Sequence, residues 1–221
     1  MHADFWHQRW QENRIGFHKD EVNPYLVEFW PKLGISPPAR VFVPLCGKSK
    51  DLVWLLEQGY QVEGVELSEL AVQAFFEEQR LPYKQVQLGE WRVWEGENIR
   101  LWCGDFFELT TAETGALEAI YDRAALIALP AAMRQRYARH LLQLAGGCPQ
   151  LLITLSYPQE EMDGPPFSVE SAEVRALYAE YFTGTGQPCL RADVLAENPH
   201  LQERGLARLD ESVYLLQVRK K

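Results

Sequence analysis

A carboxylate, Glu66, ends a short apolar run that starts at Val62, and it follows the turn at Gly47 by about 20 residues. At this spacing an acidic side chain accepts hydrogen bonds from both ribose hydroxyls of a nucleoside cofactor. Burying an unpaired acid is costly, so a binding role is favoured. The competing role is a cap on the following helix, for which Ser68 is already available. The spacing therefore favours ribose binding by Glu66.

The turn after the first apolar run, Gly47-Lys48-Ser49, matches neither the GxGxxG pattern nor the phosphate-binding GxxxxGK[ST] pattern. A single glycine gives a tight turn that is poorly suited to close contact with a pyrophosphate. An ordinary strand-to-helix turn is the alternative interpretation. Binding of an adenosine without a pyrophosphate cradle favours S-adenosylmethionine over a nicotinamide dinucleotide.

Two further apolar runs also end in charged residues. Asp105 follows Cys103 and Gly104, where a carboxylate could meet the exocyclic amine of adenine, and capping of the next turn by Asp105 is an equal competitor. Asp122 and Arg123 place opposite charges side by side. This pair either holds two loops together or meets the acceptor of a transferred group.

Aromatic residues supply the apolar contacts that a sulfonium and an aromatic acceptor require. Trp6 and Trp10 lie at i, i+4 spacing, and they could cover a sulfonium through apolar area and cation–π attraction. Core packing of an N-terminal helix is the commoner reason for such a stripe. Phe17 and the run Gly164-Pro165-Pro166-Phe167 could form a flat wall for an aromatic ring, and a rigid loop is the alternative for that run.

Alternating apolar runs and amphipathic stretches must position these residues. The pattern predicts helices and strands as follows: helices at 2–14, 25–30, 50–58, 68–79, 131–144 and 171–181, a hairpin at 93–103, and strands at 41–45, 62–66, 117–121, 151–155, 187–195 and 207–218. Strands that alternate with helices predict an α/β fold with a doubly wound, mostly parallel sheet. The two late strands predict an antiparallel addition at one edge. We expect one domain over residues 1–221, with residues 1–39 as a helical cover.

Composition excludes several classes of protein. The chain has 221 residues, 47% of them hydrophobic, which argues against disorder, and 31 acidic against 22 basic side chains give a net charge of −9. This balance argues against a nucleic-acid or anionic-membrane partner. The four cysteines form no CxxC pair, so we expect no metal site and reduced thiols. No signal-like or membrane-spanning run is present, and we expect a cytoplasmic protein.

Six segments occur in an order that is specific to one family. They are Phe5-Trp6-His7-Gln8-Arg9-Trp10, Ile15-Gly16-Phe17-His18, Val43-Pro44-Leu45-Cys46-Gly47-Lys48-Ser49-Lys50-Asp51-Leu52, Val65-Glu66-Leu67-Ser68, Tyr121-Asp122-Arg123-Ala124-Ala125-Leu126 and Gly164-Pro165-Pro166-Phe167. Together they resemble the thiopurine S-methyltransferase family in its shorter bacterial form. The resemblance covers nearly the whole chain.

The resemblance implies a class I methyltransferase fold of seven strands, the last antiparallel, that uses S-adenosylmethionine. It implies that four residues contact the cofactor: Trp10 in a helix over the methionine portion, Leu45 in the first-strand turn, Glu66 at the ribose, and Arg123 after the fourth strand. The family also uses an arginine near the C-terminal strands at the acceptor pocket. Arg204 lies in the matching region, where the alignment with His200 is ambiguous.

The implied reaction transfers a methyl group to the sulfur of an aromatic or heterocyclic thiol and gives S-adenosylhomocysteine and a thioether. Arg123 would favour the thiolate, and the acceptor would contact Trp6, Phe17, Phe167 and Arg204. We expect a monomer acting on small molecules. Three alternatives stay open: an enzyme acting mainly on selenium or tellurium species, a nicotinamide-dependent reductase, and a non-catalytic nucleoside-binding module.

Overall fold

The computed structural model describes residues 3–219, and the chain divides into two units, the first ending at Tyr121 and the second beginning at Asp122. The strands that begin in the first unit are β1 (Arg40–Pro44), β2 (Gln61–Glu66), β3 (Tyr83–Leu88), β4 (Trp91–Gly96), β5 (Ile99–Cys103) and β6 (Ala119–Arg123). Its helices are α1 (Ala3–Gln11), α2 (Pro24–Phe29), α3 (Lys50–Glu57), α4 (Glu69–Glu78) and α5 (Thr111–Thr114).

The strands of the first unit pair in the order β3-β4-β5-β2-β1-β6. The pairs β5-β2, β2-β1 and β1-β6 are parallel, whereas β3, β4 and β5 pair antiparallel. Because β2 lies on one side of β1 and β6 lies on the other, the strand order reverses beside β1. Ligands of such sheets bind outside the carboxyl ends of the strands at this reversal.

Buried apolar residues form the parallel part of this sheet. Val41 and Phe42 of β1 are fully buried, as expected of a strand covered on both faces. In β2, a Cβ added to Gly64 would come within 2.6 Å of Leu101 and 2.9 Å of the Cys46 Sγ. Glycine is therefore required at this position to let the turn after β1 approach the sheet.

The second unit has fewer strands and is antiparallel. Its strands are β7 (Gln150–Ser156), β8 (Phe182–Thr183), β9 (Leu190–Asp193) and β10 (Asp210–Val218), and its helices are α6 (Ala131–Ala145), α7 (Ser171–Tyr178) and α8 (Pro199–Gln202). β10 pairs with β7 along its length, with β9 through its first residues and with β8 through its last. A small core beside these strands consists of Tyr157, Met162, Val194, Leu201, Leu206 and Leu209.

The predicted elements are present with modest changes in their bounds, and the α/β class with its antiparallel late strands is confirmed. The first helix ends at Gln11, earlier than predicted, and its predicted start at residue 2 lies outside the described residues. Residues 3–219 contain ten strands, against the eight that the pattern predicts and the seven that the resemblance implies, and the two that were not predicted are β3 and β8. The prediction missed β3, because this edge strand (Tyr83–Leu88) has mostly exposed side chains and is held by backbone bonds to β4.

Within residues 3–219, no helix combines the length and the apolar character that crossing a membrane requires. The same residues contain no group of three or more His, Cys, Asp or Glu side chains that could hold a metal ion.

Candidate active site

Glu66, the last residue of β2, links the turns that follow β1 and β2. Its Oε2 accepts a hydrogen bond from the backbone N–H of Gly47 at 2.9 Å, and its Oε1 accepts one from Ser68 at 2.8 Å. Burial raises the pKa of the Glu66 carboxyl, against the lowering effect of these N–H donors. Each carboxylate oxygen has two acceptor sites, so Glu66 keeps the capacity to accept from a ligand.

The predicted N-cap position of Ser68 is confirmed, but its side chain does not supply the cap. Ser68 occupies the N-cap position of α4, but its side chain makes no capping hydrogen bond. Its backbone N–H instead donates to Glu66, two residues earlier. Glu66 therefore both orders the start of α4 and ties that start to Gly47 in the turn after β1.

The turn after β1 has an unusual backbone. Leu45 has φ 46° and Gly47 has φ 54°, both in the left-handed region. For leucine this conformation costs about 1 kcal/mol or more, so surrounding contacts must hold it. The Cys46 N–H donates to the Val65 carbonyl at 3.0 Å, which fixes the middle of the turn to β2.

Trp10 of α1 lies on this turn. A Cβ added to Gly47 would be 3.3 Å from the Trp10 ring, so the indole packs directly on the glycine. Phe17 contacts both tryptophans edge to face, with ring centroids 5.7 Å from Trp6 and 5.6 Å from Trp10. No residue of α1 is buried, so the core-packing alternative for Trp6 and Trp10 was wrong.

A cavity of about 570 Å³ opens beyond the ends of β2 and β5. It is lined by His7, Gln11, Leu67, Ser68, Glu69, Leu70, Gln87, Glu90, Arg92, Cys103 and Gly104. Arg92 of β4 forms an ion pair with Glu69 of α4 in its wall. The cavity borders directly on the turn that Glu66 orders, and its volume suits a small molecule.

Asp105 begins a short 3-10 helix, Phe106–Glu108, after β5. Its Oδ1 accepts a hydrogen bond from the Phe107 N–H at 2.9 Å, which is the capping role that the sequence left open. The side chain is exposed. Its contact with adenine stays a prediction.

Sequence reasoning missed Asp51, which holds the N-terminal segment to the sheet. This residue of α3 is 2% exposed, accepts from the Asn23 N–H at 2.7 Å through Oδ1 and accepts from the Tyr121 hydroxyl at 2.8 Å through Oδ2. The signal was an acid in the first turn of a helix that directly follows the glycine turn. Its two partners, 28 residues before it and 70 after it, cannot be identified from local pattern.

The two cysteines near these turns are not thiolates. Burial, and then the nearby Glu66 carboxylate, raises the pKa of the Cys46 thiol far above its usual range. Burial, with the charges of Glu69 and Glu66, raises the pKa of Cys103 to about 12. Neither thiol is therefore available as a nucleophile near neutral pH.

In the second unit, Asp122 and Arg123 end β6 in different surroundings. Asp122 is fully buried, accepts from the Leu126 N–H at 3.2 Å and accepts from the Tyr137 hydroxyl at 2.7 Å. Arg123 is half-buried, and Ala124 after it has φ 65°. Burial raises the pKa of Asp122 to about 6.

The proline loop, defined here as Gly164–Phe167, is held at several backbone atoms. Arg204 donates to the Pro165 carbonyl at 3.0 Å, and the Tyr157 hydroxyl donates to the Pro166 carbonyl at 2.5 Å. The Phe167 N–H donates to the Ile127 carbonyl at 2.7 Å. A Cβ on Gly164 would lie 2.5 Å from the Phe167 ring, so glycine allows the ring to pack on the backbone.

The family model for thiopurine S-methyltransferase matches residues 1–220. The chain belongs to the thiopurine S-methyltransferase family. A thiopurine S-methyltransferase of Pseudomonas fluorescens (strain Pf0-1) is 50% identical over 214 residues, which are 97% of this chain and 98% of that protein. One of Azotobacter vinelandii (strain DJ / ATCC BAA-1303) is 51% identical over 221 residues, 99% of this chain and 100% of that protein.

Solved structures show the fold of this thiopurine S-methyltransferase family member. The Burkholderia thailandensis 1,6-didemethyltoxoflavin-N1-methyltransferase with bound S-adenosylhomocysteine has a TM-score of 0.62 at 18% identity, covering 97% of this chain and 87% of its own. The Synechocystis PCC 6803 magnesium protoporphyrin IX methyltransferase, also with S-adenosylhomocysteine, has a TM-score of 0.64 at 14% identity, covering 96% and 97%. The fold is the class I, Rossmann-like methyltransferase fold.

Within this family member, the structure brings the predicted residues together in two groups. In the first unit Trp6 and Trp10 contact Phe17, while Trp10 and Glu66 both meet the turn at Gly47 that follows Leu45. In the second unit Arg204 reaches the proline loop that ends at Phe167, and that loop bonds to the chain just after Arg123. His200, the alternative to Arg204, is exposed on α8. The roles of all these residues stay predictions.

Proposed function

We propose that this protein transfers the methyl group of S-adenosylmethionine to the sulfur of aromatic or heterocyclic thiols, thiopurines among them. The observation that carries the proposal is the Glu66 carboxylate, which is buried at the end of β2, bound to both adjoining turns and placed beside the 570 Å³ cavity. Relatives named thiopurine S-methyltransferase, about half identical along their whole length, support the choice of acceptor.

The chemistry of the site fits the cofactor. The remaining acceptor sites of Glu66 suit the two ribose hydroxyls, while Leu45 and Trp10 provide apolar and aromatic surface at the turn after β1. Asp105, exposed after β5, is proposed to meet the adenine amine with the oxygen that does not bond to Phe107. When bound, S-adenosylmethionine supplies an electrophilic methyl group on a sulfonium.

The protein's task is to position the reactants and exclude water. Alignment of the nucleophile with the methyl group can lower the barrier by about 7–11 kcal/mol. Since Cys46 and Cys103 stay protonated, the acceptor's own sulfur is the nucleophile. The Arg123 guanidinium is proposed to favour the thiolate form of the acceptor and thereby to act as a catalytic residue.

The acceptor ring is proposed to contact Trp6, Phe17 and Phe167. Arg204 is exposed, and it donates to the Pro165 carbonyl of the proline loop, so it can also set the position of Phe167. Thiolate and sulfonium neutralise each other during the reaction, and for this reason tight stabilisation of the anion would slow transfer.

The proposal is tested by following a labelled methyl group from S-adenosylmethionine to a thiopurine. We expect transfer to the sulfur, and we expect Arg123→Ala to lower turnover by about tenfold, the equivalent of one weak charge interaction. Arg139→Ala, which removes an exposed arginine of α6, is the control and should leave turnover unchanged. Absence of transfer from the folded protein, with binding of NADH instead of S-adenosylhomocysteine in a tryptophan-fluorescence titration, would contradict the proposal.

Acceptors that carry selenium or tellurium are less favoured, because the relatives' names specify thiopurines. A panel of thiols, selenols, selenite and tellurite would rank them. We further propose that residues 1–221 act as one methyltransferase domain, with residues 1–39 as its cover, and that the protein is a cytoplasmic monomer. The family match over residues 1–220 supports the single domain, and the four free cysteines suit a reducing compartment such as the cytoplasm.

A further inference from the structure

Asp122 is a buried acid for which the proposed reaction has no direct use. It is the fourth residue of β6 and is fully buried, whereas its neighbour Arg123 is half-buried. Successive side chains of a strand point to opposite faces, so the two charged groups face different surroundings. An effect of Asp122 on Arg123 therefore passes through the backbone that the two residues share.

The carboxylate of Asp122 closes the turn that contains Arg123. Its Oδ1 accepts from the Leu126 N–H at 3.2 Å, and the Ala125 N–H also bonds to the carboxylate. Between these groups lies Ala124 with φ 65°. A left-handed alanine costs about 1 kcal/mol, so the turn needs bonds of this kind to keep its shape.

The second carboxylate oxygen anchors the turn to two other elements. Oδ2 accepts from the Tyr137 hydroxyl of α6 at 2.7 Å and from the Gln150 Nε2 of β7 at 3.5 Å. Tyr137 and Gln150 are themselves fully buried, so they hold the carboxylate in one place. The Arg123 backbone is thus fixed to the core of the second unit through a single carboxyl group.

Burial has the largest effect on the Asp122 carboxyl, and the bonds from Tyr137, Leu126 and Ala125 offset part of that effect. The buried tyrosines Tyr137 of α6 and Tyr178 of α7 lie near it, and burial, followed by the charge of Asp122, raises the pKa of both. A buried acid is costly, and a neutral acceptor could close the same turn at a lower cost. Four acceptor sites on one group are the physical advantage of aspartate here, because they serve the turn and both anchors together.

We propose that Asp122, anchored by Tyr137 and Gln150, is a positioning residue that holds the Arg123 guanidinium where it acts on the acceptor. The proposal rests on the function proposed above for Arg123. Displacement of a catalytic group by about 1 Å can lower a rate by about 100-fold, so turnover requires a turn that is held at both of its ends.

The test compares substitutions of the network with a tyrosine control in the same unit. Tyr137→Phe keeps the ring in the core and removes one donor to Asp122. We expect it to lower kcat for thiopurine methylation about fivefold and to leave the Kd for S-adenosylhomocysteine, measured by calorimetry, unchanged. Tyr214→Phe, which removes the bond between a buried hydroxyl of β10 and Ser171 at 2.7 Å, should leave both values unchanged.

Substitution of Asp122 provides the conservative rescue. Asp122→Asn keeps an oxygen for the Leu126 N–H, and the Tyr137 hydroxyl can turn to accept from the new amide. We expect the kcat of Asp122→Asn to stay within about threefold of the parent value. The kcat of Asp122→Ala should be about 30-fold lower than the parent value. If Asp122→Ala does not fold, Tyr137→Phe decides the question.

The outcomes separate this inference from the proposed function. If Arg123→Ala lowers kcat and Tyr137→Phe does not, the positioning role is overturned while the role of Arg123 stands. If Tyr137→Phe lowers kcat only as much as Tyr214→Phe, or weakens S-adenosylhomocysteine binding in parallel, Asp122 merely stabilises the fold and the inference is overturned. If Arg123→Ala has the parent kcat, the proposed role of Arg123 fails first.

Discussion

Glu66 and Asp122 are both buried acids near the ends of parallel strands, and both accept hydrogen bonds from the backbone of the turn that follows them. They differ in their remaining partners. The partners of Glu66 are backbone N–H donors, those of Ser68 and Leu67 and that of Gly47 in a neighbouring turn. Asp122 receives in addition the side chains of Tyr137 and Gln150.

The difference separates a binding group from a supporting group. Glu66 lies beside the 570 Å³ cavity and keeps unused acceptor sites, whereas the partners of Asp122 enclose its carboxylate completely. Similar positions in the sheet thus suit different roles, because the partners decide whether a carboxylate can still meet a ligand. Four predictions test this comparison, in order of decreasing effect.

The largest expected effect concerns the pH dependence of stability at Asp122. Its pKa in the folded protein is about 6, against 3.8 ordinarily, so between these values the folded protein holds a proton that the unfolded chain has lost. The contribution of Asp122 to the free energy of unfolding is therefore highest below the ordinary pKa and falls, by about 3 kcal/mol, as the pH rises to the folded pKa. Urea unfolding of the parent and of Asp122→Asn across this range should show the parent losing stability relative to the variant.

The control is Glu95→Gln, for which the effect of pH on stability should have the opposite sign. Hydrogen bonding to Lys84 lowers the pKa of Glu95, so its contribution is present above the ordinary pKa and is lost as the pH falls. The parent should therefore gain stability relative to Glu95→Gln as the pH rises. If the difference in free energy of unfolding between parent and variant changed with pH in the same direction for Asp122→Asn and Glu95→Gln, the enclosure of Asp122 would be contradicted.

The second effect is on cofactor affinity at Glu66. Replacement of the carboxylate by an amide in Glu66→Gln removes charge-assisted hydrogen bonds of about 2 kcal/mol, so we expect the Kd for S-adenosylhomocysteine to rise about 30-fold. Glu63→Gln is the matched control, because Glu63 is also buried on β2 but bonds to the Trp102 indole at 2.8 Å. Calorimetry that finds equal affinity for parent and folded Glu66→Gln would remove Glu66 from the cofactor site.

The third effect tests the aromatic cover beside Glu66. Trp10→Ala removes the ring that packs on Gly47 and contacts Phe17, and we expect about tenfold weaker S-adenosylhomocysteine binding. Trp10→Phe keeps an aromatic face, so its affinity for S-adenosylhomocysteine should fall by about threefold at most. Fluorescence titration measures both, and equal affinities for Trp10→Ala and the parent would leave α1 without a role in cofactor binding.

The smallest effect is expected at Arg204. Its bond to the Pro165 carbonyl is exposed, so Arg204→Ala should raise the KM for the thiol acceptor by about fivefold or less and leave cofactor affinity unchanged. Arg208→Ala removes a nearby exposed arginine that pairs with Asp210 and should leave the acceptor KM unchanged. A rise in KM for both variants would indicate a general charge effect instead of a contact with the proline loop.

Prediction of the fold succeeded where apolar patterning was strong and failed where it was weak. The runs that became β1 and β2 are buried and were predicted closely, and α6 differs by one residue from its predicted range. β3 was missed because its residues alternate poorly and are mostly exposed. Backbone pairing with a neighbour, which holds an edge strand of this kind, leaves little trace in side-chain type.

The sequence by itself determined the elements, the family, and the positions of Glu66 and Arg123 at strand ends, because these depend on local apolar periodicity and on motifs a few residues long. Only the tertiary structure decided what those groups touch. The hydrogen bond from Gly47 to Glu66, the packing of Trp10 on Gly47 and the anchoring of Asp122 by Tyr137 all join residues distant in the chain. Contacts of this kind arise from the packing of elements against one another, which local pattern does not encode.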